Sequence, residues 1–225
     1  MEKRQEKVLK CLVKEYIKSA KPVSSQMLFE KYHLGISPAT IRWEMVELTD
    51  SGYLYQPYAS AGRVPTEKAY RFFIEKFCEP RLSPTLEQKI EEVFQGRDER
   101  EILRALGRLM SLVSRNISIL FFEGEVFWQG LSYLLSQPEF DDPKESLRVI
   151  KVFEELYQDI YKNDDKEKEI KVYIGRENPF GKDENLSLIM GGLEDGLVGI
   201  LGPTRMDYQK NIALVEKVRE ILEEM

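Results

Sequence analysis

The segment formed by residues 37–66 constrains the fold of this chain most strongly, because a helix signal is followed there by a hairpin signal. Ser37 is a good N-cap, and Pro38 follows at the first helical position, where its missing N–H group is not needed. Apolar residues then recur at i, i+4 and i+7 on one side of the helix: Ile41, Met45 and Leu48. Gly52 ends the pattern. The sequence therefore predicts a short, capped helix with one buried stripe.

The opposite side of this predicted helix carries small, hydroxyl, aromatic and guanidinium groups. At about 100° per residue it holds Ala39, Trp43, Val46 and Asp50, flanked by Thr40, Arg42 and Glu47. Such a face suits the major groove of DNA, since arginine offers a forked donor and threonine a hydroxyl and a methyl group. We expect Thr40, Arg42 and Trp43 to contact base edges. Ser37 and Ala39 are expected near the DNA backbone, although all five side chains could simply be exposed on a capped helix.

A β-hairpin with a basic tip is predicted directly after this helix. Residues 53–56 are followed by a loop of small residues at 59–62 and then by Arg63. Small residues allow close approach to a DNA backbone, so Arg63 and Ser60 are predicted to contact phosphates or the minor groove. The alternative is an ordinary exposed hairpin.

Two amphipathic helices are predicted before this segment, from residue 2 to about 19 and from Ser24 or Ser25 to Tyr32. The first should bury Val8, Leu9, Leu12, Val13, Tyr16 and Ile17, and the second Leu28, Phe29 and Tyr32. Lys21, Ser24 and Ser25 could present a charge, hydroxyl groups and amides to a phosphate, although a simple N-cap explains the serines equally well. After the hairpin, Thr66 is predicted to cap a further helix that runs to about Phe77. The whole pattern is typical of a winged helix-turn-helix domain over residues 1–78.

The distribution of charge supports this interpretation. The chain has a net charge of −6, but residues 1–78 contain 13 Lys+Arg against 9 Asp+Glu. Residues 79–225 contain 20 against 30, so a net charge of +4 is followed by one of −10. This asymmetry is expected of a DNA-binding head on an acidic body.

Other functional classes find little support in the sequence. Cys11 and Cys78 fit core thiols in a reducing compartment, and the absence of an apolar span predicts a cytoplasmic protein without a membrane partner. His33, the only histidine, lies in a turn without neighbours at metal-ligand spacing. We therefore predict no enzyme activity, no catalytic residues, no metal and no cofactor, and read residues 194–196 as a turn.

The remainder of the chain predicts an α+β domain over residues 85–225, after a proline-containing linker at 79–84. Helices are expected from Pro84, from Asp98 and over 144–161, with a last helix capped by Asp207. The strands are expected at 118–122, 126–128, 170–174, 186–190 and 197–201, and a solvated loop at 163–169. One helical stripe is consistent with helix pairing, including pairing across a dimer: Ile102, Leu106, Leu109 and Val113.

Several motifs resemble those of the HrcA heat-inducible transcription repressors of bacteria. They are PATIRWEM at 38–45, the hairpin segment 52–73, PEFDD at 138–142, IGRENPFG at 174–181 and LGPTRMDY at 201–208. The resemblance implies a dimeric repressor that binds an inverted-repeat operator ahead of chaperone operons, with the GroEL chaperonin supporting its active state. It also implies a GAF-like regulatory domain.

This chain departs from that family pattern in two respects. Family members usually have more residues between the linker helices and the PEF motif, including a dimerisation segment, so we expect a reduced sheet and altered dimer contacts. They also usually carry asparagine at the position of Trp43, which suggests a different operator preference. Two alternatives stay open: an effector-controlled regulator whose GAF-like domain binds a small molecule, and a protein that has lost dimerisation.

Overall fold

The computed structural model of this protein describes residues 1–95, 97–160, 169–194 and 196–225. The chain divides into two compact units, Met1–Cys78 and Glu79–Met225, and each is described by itself. Residues 163–168 of the predicted solvated loop and Asp195 of the predicted turn lie outside the described residues. Across those that are described, no helix is both long and apolar enough to cross a membrane.

The helices of the first unit begin and end close to their predicted positions. They are α1 (Lys3–Ser19), α2 (Ser25–Lys31), α3 (Pro38–Asp50) and α4 (Glu67–Phe77). Their apolar stripes meet in one core, which includes Val8, Leu9, Leu12, Val13, Leu28, Ile41, Met45, Leu48, Tyr70 and Phe73. The expectation that Phe29 is buried was wrong, since 46% of this residue is exposed. Its neighbour Leu28 takes the inward position of the short α2, and a step of about 100° turns Phe29 outward.

The hairpin after α3 is shorter than the predicted one. Strands β1 (Leu54–Tyr55) and β2 (Val64–Pro65) are antiparallel, with Leu54 opposite Pro65 and Tyr55 opposite Val64. Arg63 does not lie at the hairpin tip, as the sequence suggested, but at the end of the loop, directly before β2, where its backbone pairs with Val23. The two N–H···O distances of this bridge are 2.9 and 2.8 Å.

Gly62 is required by the close approach of the chain beside this bridge. A Cβ atom at Gly62 would lie 2.3 Å from the carbonyl oxygen of Val23, which is far inside van der Waals contact. Only glycine therefore allows the hairpin to dock on the segment between α1 and α2. This docking ties the hairpin to the helical core.

The second unit begins with α5 (Pro84–Glu92) and α6 (Glu99–Ser114). Its described residues form a five-stranded antiparallel sheet with the strand order β4-β3-β7-β6-β5. The strands are β3 (Ile117–Phe122), β4 (Glu125–Gln129), β5 (Ile170–Ile174), β6 (Leu186–Leu193) and β7 (Gly196–Pro203). Further helices are α7 (Leu131–Leu135), α8 (Pro143–Asp159) and α9 (Tyr208–Glu223). The five predicted strands and the last helix are confirmed, whereas α7 was not predicted.

Helices cover both faces of this sheet. Alternate residues of β3 point to opposite sides, so Ile117 and Ile119 join the core beneath α7 and α8. Between them, the Ser118 hydroxyl donates a hydrogen bond of 2.7 Å to the carbonyl oxygen of Gly107 in α6. Helix α9 packs on the same side as α6, against β6 and β7. The result is a mixed α/β unit with helices on both faces of its sheet.

The apolar stripe of α6 contributes to packing inside its own unit, which includes packing on another helix, α9. Ile102 and Leu106 are buried inside their own unit, together with Leu103 and Met110. Helix α6 packs on β3 and β4, so these residues belong to the core of the second unit. Leu109 and Val113, the other two residues of the predicted stripe, are half-buried, so helix pairing across a dimer stays a prediction.

Candidate nucleic-acid interface

The start of α3 is held by a side-chain cap. The Ser37 Oγ accepts a hydrogen bond of 3.2 Å from the backbone N–H of Thr40, and it lies 2.9 Å from the Thr40 hydroxyl oxygen. Pro38 occupies the first turn, as predicted. Thr40 is half-buried and its hydroxyl is engaged by the cap, so it is less available to a ligand than the sequence suggested.

The outward face of α3 is exposed where the sequence predicted it. Ala39 and Arg42 are exposed, and Trp43 is 63% exposed. Val46 is half-buried beside them. The structure thus brings an apolar surface and a guanidinium group together on one accessible side of α3.

An ion pair that sequence reasoning missed holds the inward side of α3. The Glu44 carboxylate is buried, and its Oε1 accepts a hydrogen bond of 2.5 Å from the Arg4 Nε in α1. The sequence could have indicated that Glu44 is buried, since this residue lies on the same side of the helix as Ile41 and Leu48. A charged residue within a buried stripe requires a partner. The partner lies 40 residues away and could not be identified from spacing.

The hairpin is joined to the C-terminal end of α3 by a second polar contact. The Arg63 Nε donates a hydrogen bond of 3.0 Å to the Thr49 Oγ1, which itself donates one of 2.7 Å to the Met45 carbonyl oxygen. The hairpin loop is closed by the Gln56 amide, which donates to the carbonyl oxygens of Ala59 and Ala61 at 2.9 Å each. A side chain of the loop itself therefore stabilises the loop conformation.

Beyond this closure, the hairpin loop presents side chains to solvent. Ser60 is exposed there, as is Tyr58, which is 63% exposed and was not singled out from the sequence. Arg63 itself is half-buried where the loop joins β2. The accessible part of the hairpin is therefore the tip of its loop and not its arginine.

The start of α2 fits the predicted phosphate contact only in part. Lys21 and Ser24 are exposed, and the Ser24 Oγ accepts a hydrogen bond of 3.1 Å from the Met27 N–H. Ser25 is buried, with 8% of its surface exposed, so the expectation that its hydroxyl faces a ligand was wrong. Once Ser24 takes the cap, the next residue points into the core.

The contact between α1 and α2 contains a buried carboxylate. The Glu15 carboxylate is almost fully buried and accepts hydrogen bonds from the Lys31 Nζ at 2.5 Å and from the Tyr32 hydroxyl at 3.3 Å. Burial, and secondarily the negative charge of Glu15, raises the pKa of Tyr32 to about 12. Burial also raises the pKa of the Cys11 thiol, with Lys14 and Lys10 opposing the effect. Both shifts favour the neutral, protonated form of the side chain.

Two distant motifs of the second unit meet at one ion pair. Both Nε and Nη2 of Arg205 bond to the Glu139 carboxylate, and Nη2 also donates to the Gln137 Oε1 at 2.9 Å. Nearby, the Tyr208 hydroxyl donates to the Thr204 carbonyl oxygen at 2.7 Å and lies 3.1 Å from the Ser187 Oγ. The contact of Arg205 with Glu139 connects the segments 138–142 and 201–208.

Curated relatives of this chain define its class. The heat-inducible transcription repressor HrcA of Natranaerobius thermophilus is 26% identical, and the alignment covers 96% of this chain and 94% of that protein. The repressor of the same name from Halalkalibacterium halodurans is also 26% identical, over 97% of this chain and 96% of that protein. These are transcription repressors and not enzymes.

The family of this chain is identified by a match to a family model. The family model described as the HrcA protein C terminal domain matches residues 65–212, which is about two thirds of the chain. The chain belongs to the HrcA family. Its alignment with the Natranaerobius protein spans 325 positions, although the chain has 225 residues, so at least 100 positions lie opposite gaps in this chain. It is a short member of the family, as predicted.

One solved structure shares the whole fold. It is described as a hypothetical protein at 2.2 Å resolution, and it superposes with a TM-score of 0.76 over 100% of this chain and 98% of that one. The two sequences are 21% identical, so the likeness concerns the fold alone.

Proposed function

We propose that this protein represses the transcription of heat-shock (chaperone) operons in the cytoplasm by binding an inverted-repeat operator. Residues 1–78 would act as a winged helix-turn-helix domain, with α3 in the major groove and the β1–β2 hairpin as the wing. The observation that carries the proposal is the exposed face of α3, where Arg42 and Trp43 stand opposite a fully packed side. The positive charge of this part of the chain supports it.

Within this proposal, the residues of the interface have different tasks. Arg42 and Trp43 contact bases, whereas Ser37, Ala39 and Thr40 shape the close approach of the N-terminal end of α3 to DNA. Ser60 of the exposed loop, with Lys21 and Ser24 at the start of α2, contacts phosphates. Arg63 positions the hairpin against α3 in this proposal, because its Nε donates a hydrogen bond to Thr49.

The test compares duplexes at modest salt. A palindrome from a chaperone promoter and a scrambled duplex of equal composition are titrated with the full chain, and fluorescence anisotropy reports binding. We expect a preference for the palindrome of at least tenfold, and a loss of about tenfold in Arg42→Ala, since one specific base contact contributes roughly 1–3 kcal/mol. Arg104→Ala is the matched control, because this arginine is exposed in the second unit. Equal affinity for both duplexes would refute the proposal.

The proposal includes a homodimer, because a palindrome repeats its half-sites about 34 Å apart or at multiples of that distance. Mass measurement by light scattering, with and without the palindrome, tests this step. Two copies per duplex are expected. One copy per duplex would favour the alternative of a monomer that has lost dimerisation.

We also propose that the second unit is a GAF-like regulatory domain and that the GroEL chaperonin supports the DNA-competent form. The strand order of the antiparallel sheet and its helices on both faces support the first step, and membership of the family supports the second. Heating should release the protein from DNA. Addition of GroEL after heating should restore binding faster than cooling alone, and equal rates would remove the chaperonin from the proposal.

A second candidate function, control by a small effector, is favoured by one groove of the second unit. It has a volume of about 390 Å³ and lies between α8 and the connection from β5 to β6. Its lining combines basic and acidic side chains: Arg148, Lys151, Arg176, Lys182, Glu155, Asp183 and Glu184. A thermal-shift screen of charged metabolites tests it. Absence of any shift would leave the effector hypothesis without support.

A further inference from the structure

The centre of the outward face of α3 is apolar. Ala39, Trp43 and Val46 lie within about 60° of one another around the helix axis, and Arg42 stands at their edge. Ala39 is exposed and Trp43 is 63% exposed, while Ile41 and Leu48 on the opposite side are buried. The most accessible large apolar side chain of this helix is therefore an indole.

An indole can read only part of the chemistry of the major groove. It has a single N–H donor and no acceptor, so it cannot form the paired hydrogen bonds by which amide or guanidinium groups recognise adenine or guanine. Its large apolar surface can contact the one apolar group that bases present there, the C5-methyl group of thymine. Thymine also offers the O4 acceptor to an N–H donor.

We propose that Trp43 determines operator specificity by packing on a thymine methyl group in each half-site. The inference rests on the proposed function, since it requires α3 to lie in the major groove. The neighbouring Ala39 adds a second small apolar contact on the same ridge, and Arg42 supplies the charge that the ridge itself lacks. In a half-site recognised in this way, replacement of that thymine by a pyrimidine without a C5-methyl group weakens binding.

Deoxyuridine gives a direct test, because it differs from thymidine only by the missing methyl group. Duplexes are first selected from a random library by the wild-type chain, and each thymine of the half-site is then replaced by uracil. We expect one position at which the replacement weakens binding by about fourfold per half-site, as the burial of one methyl group implies. At the other positions the affinity should change less than twofold.

Variants of Trp43 assign this effect to the indole. In Trp43→Asn the ratio of the thymine and uracil affinities at that position should fall to about one, whereas Trp43→Phe should keep part of it. Leu147→Asn is the matched control, since Leu147 is 58% exposed in the second unit. Because Trp43 has little buried surface, the midpoint of thermal unfolding should stay within about 3 °C in these variants, which separates recognition from folding.

The outcomes distinguish the two proposals. If the library selection yields no preferred duplex, the proposed function fails. If a preferred duplex is found but every thymine tolerates uracil, the role of Trp43 is refuted and repression stands. The role of Trp43 is equally refuted if Trp43→Asn keeps the wild-type discrimination between thymine and uracil.

Discussion

The Nε of Arg63 lies 3.0 Å from the hydroxyl oxygen of Thr49, and this hydrogen bond joins the end of the hairpin loop to the C-terminal end of α3. The backbone of Arg63 pairs at the same time with Val23. One residue therefore positions the hairpin against two other elements of the first unit. If α3 and the hairpin bind one duplex together, their relative position affects affinity even without a direct contact.

Thr49→Val is predicted to weaken operator binding by about fivefold, because it removes one hydrogen bond with a net contribution of about 1 kcal/mol. Thr49→Ser keeps the hydroxyl group and should bind like the wild type. Anisotropy titration with the palindrome measures both variants. Wild-type affinity in Thr49→Val would show that the contact does not position the hairpin.

The buried Glu44 carboxylate gives a prediction for stability. Arg4→Ala leaves this carboxylate without its hydrogen-bond donor, so the free energy of unfolding should fall by about 2 kcal/mol. Urea denaturation measures the loss. The double variant Arg4→Ala with Glu44→Met removes both partners and should recover most of it, because an apolar side chain of similar size fits the buried site.

A double variant that is no more stable than Arg4→Ala would contradict this account. It would mean that the guanidinium acts through the packing of its aliphatic part and not through its bond to Glu44.

The raised pKa of Tyr32 predicts that the folded state becomes less stable at alkaline pH. Its pKa in the folded chain is raised to about 12, above the ordinary value of 10. The folded state therefore binds the phenol proton more tightly than the unfolded state does. The resulting stabilisation is fully present below pH 10 and is lost as the pH rises towards 12.

Thermal unfolding between pH 9 and 12 tests the prediction for Tyr32. Tyr32→Phe should show a shallower decline of the unfolding midpoint across this window than the wild type. Tyr58→Phe removes the hydroxyl of an exposed tyrosine in the hairpin loop and should follow the wild-type curve. Parallel curves for Tyr32→Phe and the wild type would contradict the assignment.

The ion pair of Arg205 with Glu139 is predicted to stabilise the second unit. Arg205→Ala should lower the free energy of unfolding by about 2 kcal/mol, because it leaves a largely buried carboxylate without its forked donor. Arg205→Lys should restore only part of this, since an ammonium group cannot bond in the bidentate manner.

Arg176→Ala is the control for Arg205. Its ion pair with Glu184 is exposed on both sides, so a loss of about 0.5 kcal/mol or less is expected. Urea denaturation compares the two variants. Equal losses would show that burial of the Arg205 pair contributes nothing.

Much of the local structure followed from the sequence. The helix signals around Ser37 and Thr66 marked the starts of α3 and α4, and the run at 170–174 marked β5 (Ile170–Ile174). Such signals depend on residues a few positions apart: a cap and its amide, a stripe at helical spacing, an alternation along a strand. The exposure of Arg42 and Trp43 also followed from this periodicity.

The relations between distant segments were decided only by the tertiary structure. It placed Arg63 where the hairpin loop joins β2 and not at the predicted tip, because Val23 offers a backbone partner there. It also turned Ser25 inward and paired Arg205 with a glutamate 66 residues away. Local preferences act through neighbours in the chain, whereas these contacts depend on which surfaces the packed core brings together, and no spacing in the sequence contains that information.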